Sequence, residues 1–508
     1  MRRLFAPLLL ALCLPWPAIG AEAPTGPLGR IDFPTTASPA AQEHFLRGVA
    51  ALHSFWYDEA ADAFRAAQAA EPGFALAYWG EALTCDHPIW GEQDAAAARR
   101  VLQRLAATPA ERAARAGNEV ERAWLATVEA LYGEGESDAR ARAYAESLRQ
   151  MHEGRPDDME VASFYALSLI GPALASDGGP LGEPRERLLM RAAALLEELV
   201  DRNPEHPGVL HYLIHAYDDP VHAPLGLRAA RTYARVAPAA PHALHMPSHI
   251  FVQLGRWDQV AASNEDAWAA SVAWAQRRGL GVEKHDFHSL SWLAYAYLQQ
   301  GRIAKAREVL EIARAAARQT DNPRVTGALA AIEARFTIER EAWGEAPLPA
   351  AGEAEAPQAE TDKAHAGHAM GDGSWTALYT AGLAAGRRGD APAAEAALER
   401  LRATPSGTDQ SVAAILEKQI EGLALLARGK EEEGLRRLAE AADAEAGLTP
   451  PSGPPELLKP AQELYGEVLL ERGRAAEALR QFERSLLRMP NRTASVRGAE
   501  RAAERMGR

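Results

Sequence analysis

Histidine is concentrated in one short part of this chain. Nine of its fifteen histidines lie within residues 206–288. Residues four apart share one face of a helix, and two histidine pairs have this spacing: His211 with His215, and His245 with His249. The second pair follows the first by 34 residues. The pattern therefore predicts two equivalent helices whose imidazoles face a common region.

Clustered imidazoles can bind a metal ion, because imidazole is the commonest protein metal ligand and a nearby carboxylate can join it or orient its ring. Zinc and copper suit such ligands. We predict a ligand-binding groove in which two aspartates accompany six candidate metal ligands: Asp218 and Asp219, with His211, His215, His242, His245, His249 and His288. A hydrogen-bonded polar layer, or a groove that holds a peptide carboxylate or backbone, stays open as the alternative.

A metal-dependent enzyme is the second hypothesis. In that case the histidines hold a metal ion that activates water, and Asp218, Asp219 or Glu265 serves as the base. The chain contains no nucleophile elbow, Walker loop, zincin motif or dinucleotide-binding glycine pattern. Cys85 is interpreted as a core residue. We therefore expect a binding scaffold, not an ordinary soluble catalytic domain.

Two smaller polar sets lie outside this stretch. His53 and His87 are one 34-residue period apart, and Asp86 precedes the second of them, so together they predict a lesser polar site. The other set combines two imidazoles with a thioether, which resembles the ligands of exported copper-handling segments; it consists of His365, His368 and Met370.

The elements that must position these residues are helices. Abundant strong helix formers and an aromatic content of 7% predict an almost entirely helical chain. One residue pattern occurs three times: Ala60, Phe64, Ala67 and Pro72; Gly226, Ala230, Tyr233 and Pro238; Ala478, Phe482, Ser485 and Pro490. It resembles the second helix of a tetratricopeptide repeat, in which a small residue permits close packing, an aromatic fills the gap and proline ends the unit.

The resemblance implies an all-α tetratricopeptide-repeat superhelix, an α-solenoid. Glycine occupies the expected turn within five units, at Gly255, Gly301, Gly389, Gly429 and Gly473. Units then begin near residues 41, 75, 207, 241, 287, 375, 415 and 459. In this family positions 2, 5, 9, 12 and 13 of the first helix face the concave groove, and the resemblance places the six histidines and two aspartates there. Residues 245–251 also resemble a segment of exported bacterial tetratricopeptide proteins of undefined function.

Composition divides the chain into segments. We predict a signal peptide at residues 1–20, a linker at residues 21–40, and an N-terminal lobe that contains the histidine-rich groove at residues 41–344. Residues 345–373 are rich in Ala, Glu, Gly and Pro and cannot bury enough apolar surface to fold, so we predict a disordered insertion. Residues 374–508 predict a C-terminal lobe that ends in a polar capping helix. Within residues 98–206 the repeat is irregular.

The N-terminus and the net charge restrict location and partners. Arg2 and Arg3 precede the apolar residues 8–14 and the small residues near Gly20, which predicts export to the periplasm or secretion. A net charge of −14 argues against nucleic acid as a partner, and no later segment reaches the length of a membrane span. We expect an exported scaffold that binds a protein segment or small ligand, directly or through a histidine-bound transition metal.

Overall fold

The computed structural model describes residues 27–175, 180–346, 373–404 and 409–507. In these residues the chain is built of α-helices that pack against their sequence neighbours, which confirms the predicted all-α, tetratricopeptide-type fold. The predicted signal peptide lies outside the described residues, and so does nearly all of the predicted insertion. No helix in the described ranges is both long and apolar enough to cross a membrane.

The helices of the first half precede and surround the histidine-rich stretch. They are α1 (Pro39–His53), α2 (Tyr57–Ala70), α3 (Ala75–Leu83), α4 (Ala95–Leu105), α5 (Pro109–Ala113), α6 (Glu119–Leu131), α7 (Ser137–Gly154), α8 (Met159–Ala175), α9 (Arg185–Val200), α10 (Pro207–Ala216), α11 (Ala223–Val236), α12 (Pro241–His245) and α13 (Pro247–Gln253). The irregular stretch 98–206 is thus helical as well.

The second half continues the array. Its helices are α14 (Trp257–Arg278), α15 (Phe287–Gln299), α16 (Ile303–Ala317), α17 (Pro323–Ile338), α18 (Gly373–Arg387), α19 (Ala391–Ala403), α20 (Gln410–Ala427), α21 (Glu431–Ala446), α22 (Ala461–Glu471), α23 (Ala475–Arg488) and α24 (Thr493–Met506). Short 3₁₀ turns lie at Val282–Lys284 and Trp343–Glu345. Buried apolar residues form two clusters, one drawn from residues 28–336 and the other from 334–502.

The repeat motif works by inserting an aromatic ring between helices that have glycine at the contact. Phe64 of α2 is fully buried between Gly48 of α1 and Gly80 of α3. A Cβ atom at Gly80 would lie 2.3 Å from the Phe64 ring, so a larger residue there would displace the aromatic. Phe482 of α23 packs in the same way against Gly498 of α24.

The turn glycines have the backbone conformation that the repeat needs. All five have φ between +62° and +77°, a left-handed region that L-residues with a side chain rarely adopt: Gly255, Gly301, Gly389, Gly429 and Gly473. Each lies between the two helices of a unit. Glycine at these positions thus lets the chain reverse within about three residues.

Two local features were not predicted. A small antiparallel ladder pairs β1 (Asp86–His87) with β2 (Glu92–Gln93) after α3, where the sequence suggested only helix. The first helix of the unit that begins at residue 241 is also divided in two, because Pro247 lacks an N–H group to continue the hydrogen-bond ladder. The break lies between His245 and His249, yet their rings remain on one side.

Candidate metal centre

The first group of histidines lies where α10 and α12 meet, and we call it triad 1: His211, His215 and His242. The Nε2 atoms of His215 and His242 each lie 3.1 Å from the Nε2 atom of His211. His211 and His215 are buried, and His242 is partly exposed. Three imidazole nitrogens therefore converge on one point at the protein interior, with access from the side of His242.

The hydrogen bond behind the central ring of triad 1 turns its Nε2 atom toward the other two rings. The Nδ1–H of His211 donates to the backbone oxygen of His53 at 2.7 Å. Burial, together with the neighbouring His215, holds the pKa of His211 well below its usual value, so its ring is neutral and Nε2 carries one lone pair. The Nε2 atoms of His215 and His242 both face this lone pair. Three convergent imidazole nitrogens at this spacing could bind one metal ion.

The second group repeats this arrangement, and we call it triad 2: His245, His249 and His288. They lie on α12, α13 and α15. The Nε2 atoms of His249 and His288 are each 3.1 Å from Nε2 of His245. With metal–nitrogen bonds of 2.0–2.1 Å, tetrahedral coordination separates two ligand nitrogens by about 3.3 Å. The spacing in both triads is close to that requirement.

Triad 2 is oriented by side chains behind the rings. The Nδ1–H of His245 donates to Asn264 Oδ1 at 2.7 Å, and the Asn264 amide is itself held because its nitrogen donates to the Val260 carbonyl. The Nδ1–H of His249 donates to Asp218 Oδ2 at 2.6 Å, and Gln253 donates to the other Asp218 oxygen. Carboxylate and amide acceptors of this kind leave Nε2 as the ligand atom and fix the ring plane.

Each triad has one aromatic side chain that lies near all three of its rings. The ring of Phe55 lies 4.4–6.0 Å, centre to centre, from the three rings of triad 1. Trp292 lies 4.5–5.4 Å from those of triad 2. Phe55 adopts φ +51°, a strained conformation for a side chain of this size, and it is buried. Apolar rings beside a charge lower the local dielectric constant, which strengthens any charge interaction there.

A third cluster has a different character. Val209 N–H donates to Nδ1 of His206, whose Nε2–H donates to Glu160 at 3.0 Å. On the other side, the Tyr212 hydroxyl donates to Nδ1 of His53, whose Nε2–H donates to Glu160 at 2.8 Å. Each donor thus meets its own acceptor, and the cluster is complete without a metal ion. It positions the His53 carbonyl that holds His211.

Glu160 is the charged member of this third cluster. Burial raises the pKa of its carboxyl, but His206 and His53 more than offset that effect and lower the pKa to about 2. Burial also lowers the pKa of His53. This buried, ionised carboxylate therefore accepts two imidazole N–H groups. His53 pairs with Glu160, and not in a polar site with His87 as the sequence suggested.

The other candidate residues lie away from the triads. Asp219 accepts backbone N–H groups in the loop after α10 and pairs with His222 Nδ1 at 2.6 Å. Glu265 accepts a hydrogen bond from the Tyr297 hydroxyl. His87 stacks on Tyr57, with ring centres 4.0 Å apart, and pairs with a carboxylate of the β-ladder. The candidate tract at His365, His368 and Met370 lies outside the described residues.

The supporting residues of the triads were not predicted from the sequence. Asn264 and the His53 carbonyl anchor the two central rings, and Phe55 and Trp292 cover them. The one signal available in the sequence was the position of Trp292 four residues after His288, which places both on one helix face. The anchors lie on other helices than the rings they hold, so spacing within one helix could not identify them.

No protein-family model and no curated protein matches the chain. Among solved structures, the APC/C hetero-tetramer Cut9–Hcn1 is 13% identical, with 91% of this chain and 76% of that chain covered and a TM-score of 0.35. The human IFIT1 dimer with m7Gppp-AAAA is 13% identical (94% and 92% covered, TM-score 0.35). Yeast Tom70 is 11% identical (92% and 89% covered, TM-score 0.32). The helix pairs, turn glycines and inserted aromatics of this chain resemble the tetratricopeptide superfamily in fold.

Proposed function

We propose that this protein is an exported tetratricopeptide-type scaffold that binds transition-metal ions, zinc or copper, in triads 1 and 2. One observation carries the proposal: the same convergence of three Nε2 atoms occurs twice, in consecutive repeats, with an oxygen acceptor fixing Nδ1 of the central ring each time. A polar layer needs only paired donors and acceptors. Three convergent imidazole nitrogens are the arrangement that a metal ion requires.

Three protein ligands leave each ion an open coordination position. Structural zinc sites are closed by four protein ligands, whereas three-histidine sites accept a further ligand from solvent. The partly exposed members, His242 and His288, give that ligand a route of approach. The scaffold would therefore present its metal ions to a small molecule, or to a protein segment that supplies a donor atom.

A metal-dependent enzyme is the second candidate, and the open position favours it too. The carboxylates expected to act as base are engaged elsewhere, however. Asp218 orients His249, Asp219 pairs with His222, and Glu265 accepts from Tyr297. Their engagement favours binding over water-activating catalysis by these groups.

Elemental analysis of the untagged protein tests the proposal. After exposure to zinc or copper and removal of free metal, we expect two ions per chain. His215→Ala and His249→Ala should each lose one, while His44→Ala, which changes an exposed histidine of α1, should keep both. If the wild-type chain retains no metal and its Tm does not rise when metal is added, metal binding is excluded.

Export belongs to the same proposal. The support is the N-terminal pattern of two arginines, an apolar stretch and small residues. Cell fractionation followed by N-terminal sequencing tests it. We expect a mature chain that starts after Gly20, and an intact N-terminus in the cytoplasm would contradict export.

A further inference from the structure

Triads 1 and 2 are direct neighbours. Helix α12 contributes His242 to triad 1 and His245 to triad 2, only three residues apart, and the centres of these two rings are 6.1 Å apart. A second contact joins the triads on the other side, where the ring centres of His215 and His249 are 6.0 Å apart. Rings of one triad therefore lie against rings of the other at two places, one along α12 and one between α10 and α13.

The two triads have little negative charge for two metal ions. Six imidazoles bind as neutral ligands, so two divalent ions would bring four positive charges into a largely buried region. Asp218, hydrogen-bonded to His249, returns one negative charge. In the described parts of the chain, no carboxylate or thiol atom completes a set with the three converging Nε2 atoms of either triad, all within 4.8 Å of one another. Buried charge without compensation is costly, and an anion from solvent would reduce that cost.

The open coordination positions offer a place for such an anion. Each ion has three protein ligands and needs at least one more. The apolar rings of Phe55 and Trp292 lie against the triads, so a small ligand would suit the open positions better than a bulky one. An anion placed between neighbouring ions satisfies two open positions and offsets charge on both, as in other two-metal centres.

We propose that triads 1 and 2 form one dinuclear centre, whose two ions share a small exogenous anion such as hydroxide, with azide as an experimental substitute. This inference rests on the proposed metal binding. It adds that the ions act together: the ligand is bound by the pair, and a chain that has lost one triad binds it weakly.

Electron paramagnetic resonance of the copper(II)-loaded full chain tests the coupling. A shared ligand couples the two unpaired electrons, so the signal should integrate to well below two spins per chain while elemental analysis finds two copper ions. His242→Gln and His288→Gln change a partly exposed ligand in triad 1 and triad 2 respectively. Each variant should hold one ion and show one full, uncoupled spin.

Azide titration of the same samples gives the ligand stoichiometry. We expect one azide per wild-type chain and at least tenfold weaker binding in either single-triad variant, with His44→Ala unchanged. Two full, uncoupled spins and two independent azide sites per chain would overturn the dinuclear centre and leave metal binding intact. A chain that binds no copper or zinc fails at the earlier step, so the two outcomes are distinguishable.

Discussion

Each triad has a central histidine that an oxygen acceptor holds from behind. The His53 carbonyl holds His211, and Asn264 holds His245. The ligand rings could be predicted because their spacing follows the period of one helix and of one repeat. The acceptors could not, since the His53 carbonyl belongs to the backbone of α1 and the Asn264 amide to α14, and no local pattern connects them to the rings.

Substitutions at two adjacent aspartates can distinguish the effect of ring orientation on metal affinity from the effect of net charge. Asp218→Asn keeps the side-chain shape and removes the carboxylate that accepts from His249, so affinity for one metal equivalent should fall about 10–100-fold. Asp219→Asn is the matched control, because Asp219 pairs with His222 in the loop. Competitive titration with a chromophoric chelator measures both. Equal losses in the two variants would show that net charge, not orientation of His249, matters.

A glycine near His53 offers a test of the anchor of triad 1. A Cβ atom at Gly208 would lie 2.3 Å from His53 Nδ1, so Gly208→Ala should displace His53 and the carbonyl that holds His211. We expect weaker metal binding at triad 1 and unchanged binding at triad 2. At limiting metal concentration, a titration should then show one bound ion per chain where the wild type shows two. Full retention of both would show that the His53 carbonyl does not position His211.

At the scale of helices and turns, the sequence was a good guide where structure depends on local chemistry. Helix starts near the predicted unit boundaries and left-handed glycines in the turns both follow from residue preferences. The β-ladder at Asp86–His87 and Glu92–Gln93 could not be foreseen. It is only two residues long on each side, and Trp90 in its turn packs beside Phe55, which is distant in sequence.

The turn glycines have a measurable conformational role. Gly301 has φ +69°, and a Cβ atom there would meet nothing within 4 Å, so the cost of Gly301→Ala is conformational. We expect a loss of about 1 kcal/mol in the free energy of unfolding. Gly327 lies within α17, also in open space, and Gly327→Ala should instead stabilise by about 0.5–1 kcal/mol. Urea unfolding measures the free energy of unfolding of both variants. If both were less stable than the wild type, the effect would be steric and not conformational.

At the scale of the whole molecule, the end of the chain returns to the middle of the array. The guanidinium of Arg492 is buried and donates to Glu339 at 2.7 Å, to Glu463 at 2.8 Å and to the hydroxyl of Tyr295 at 3.1 Å. Thr493 adds hydrogen bonds to Gln299 on α15. The sequence indicated only a polar capping helix here. Contacts between residues almost 200 positions apart leave no trace in local periodicity.

This buried ionic cluster predicts sensitivity to acid. Burial raises the pKa of Glu463, but Arg492 and Lys459 more than offset it and hold the pKa well below its usual value. A depressed pKa stabilises the fold above about pH 4.5, the ordinary range of a glutamate, and the contribution is lost as pH falls below it. Glu463→Gln should cost about 3–5 kcal/mol at pH 7, because it leaves buried charge unpaired.

The pH dependence provides the check on Glu463. Unfolding free energies at pH 7 and pH 4 should differ less for Glu463→Gln than for the wild type. Glu477→Gln, which removes a partly exposed partner of Arg474, should have little effect at either pH. If the wild type and Glu463→Gln lost equal stability on acidification, the ionised Glu463 would not be what stabilises this contact between the end and the middle of the array.

The central claim is that two sets of three histidines each bind a metal ion. Anomalous X-ray diffraction from crystals soaked in zinc or copper tests it most directly. We expect two anomalous peaks per chain, each about 2.0–2.1 Å from three Nε2 atoms, at His211, His215 and His242 and at His245, His249 and His288. Peaks confined to surface residues, with both triads free of anomalous density at saturating metal, would contradict the account.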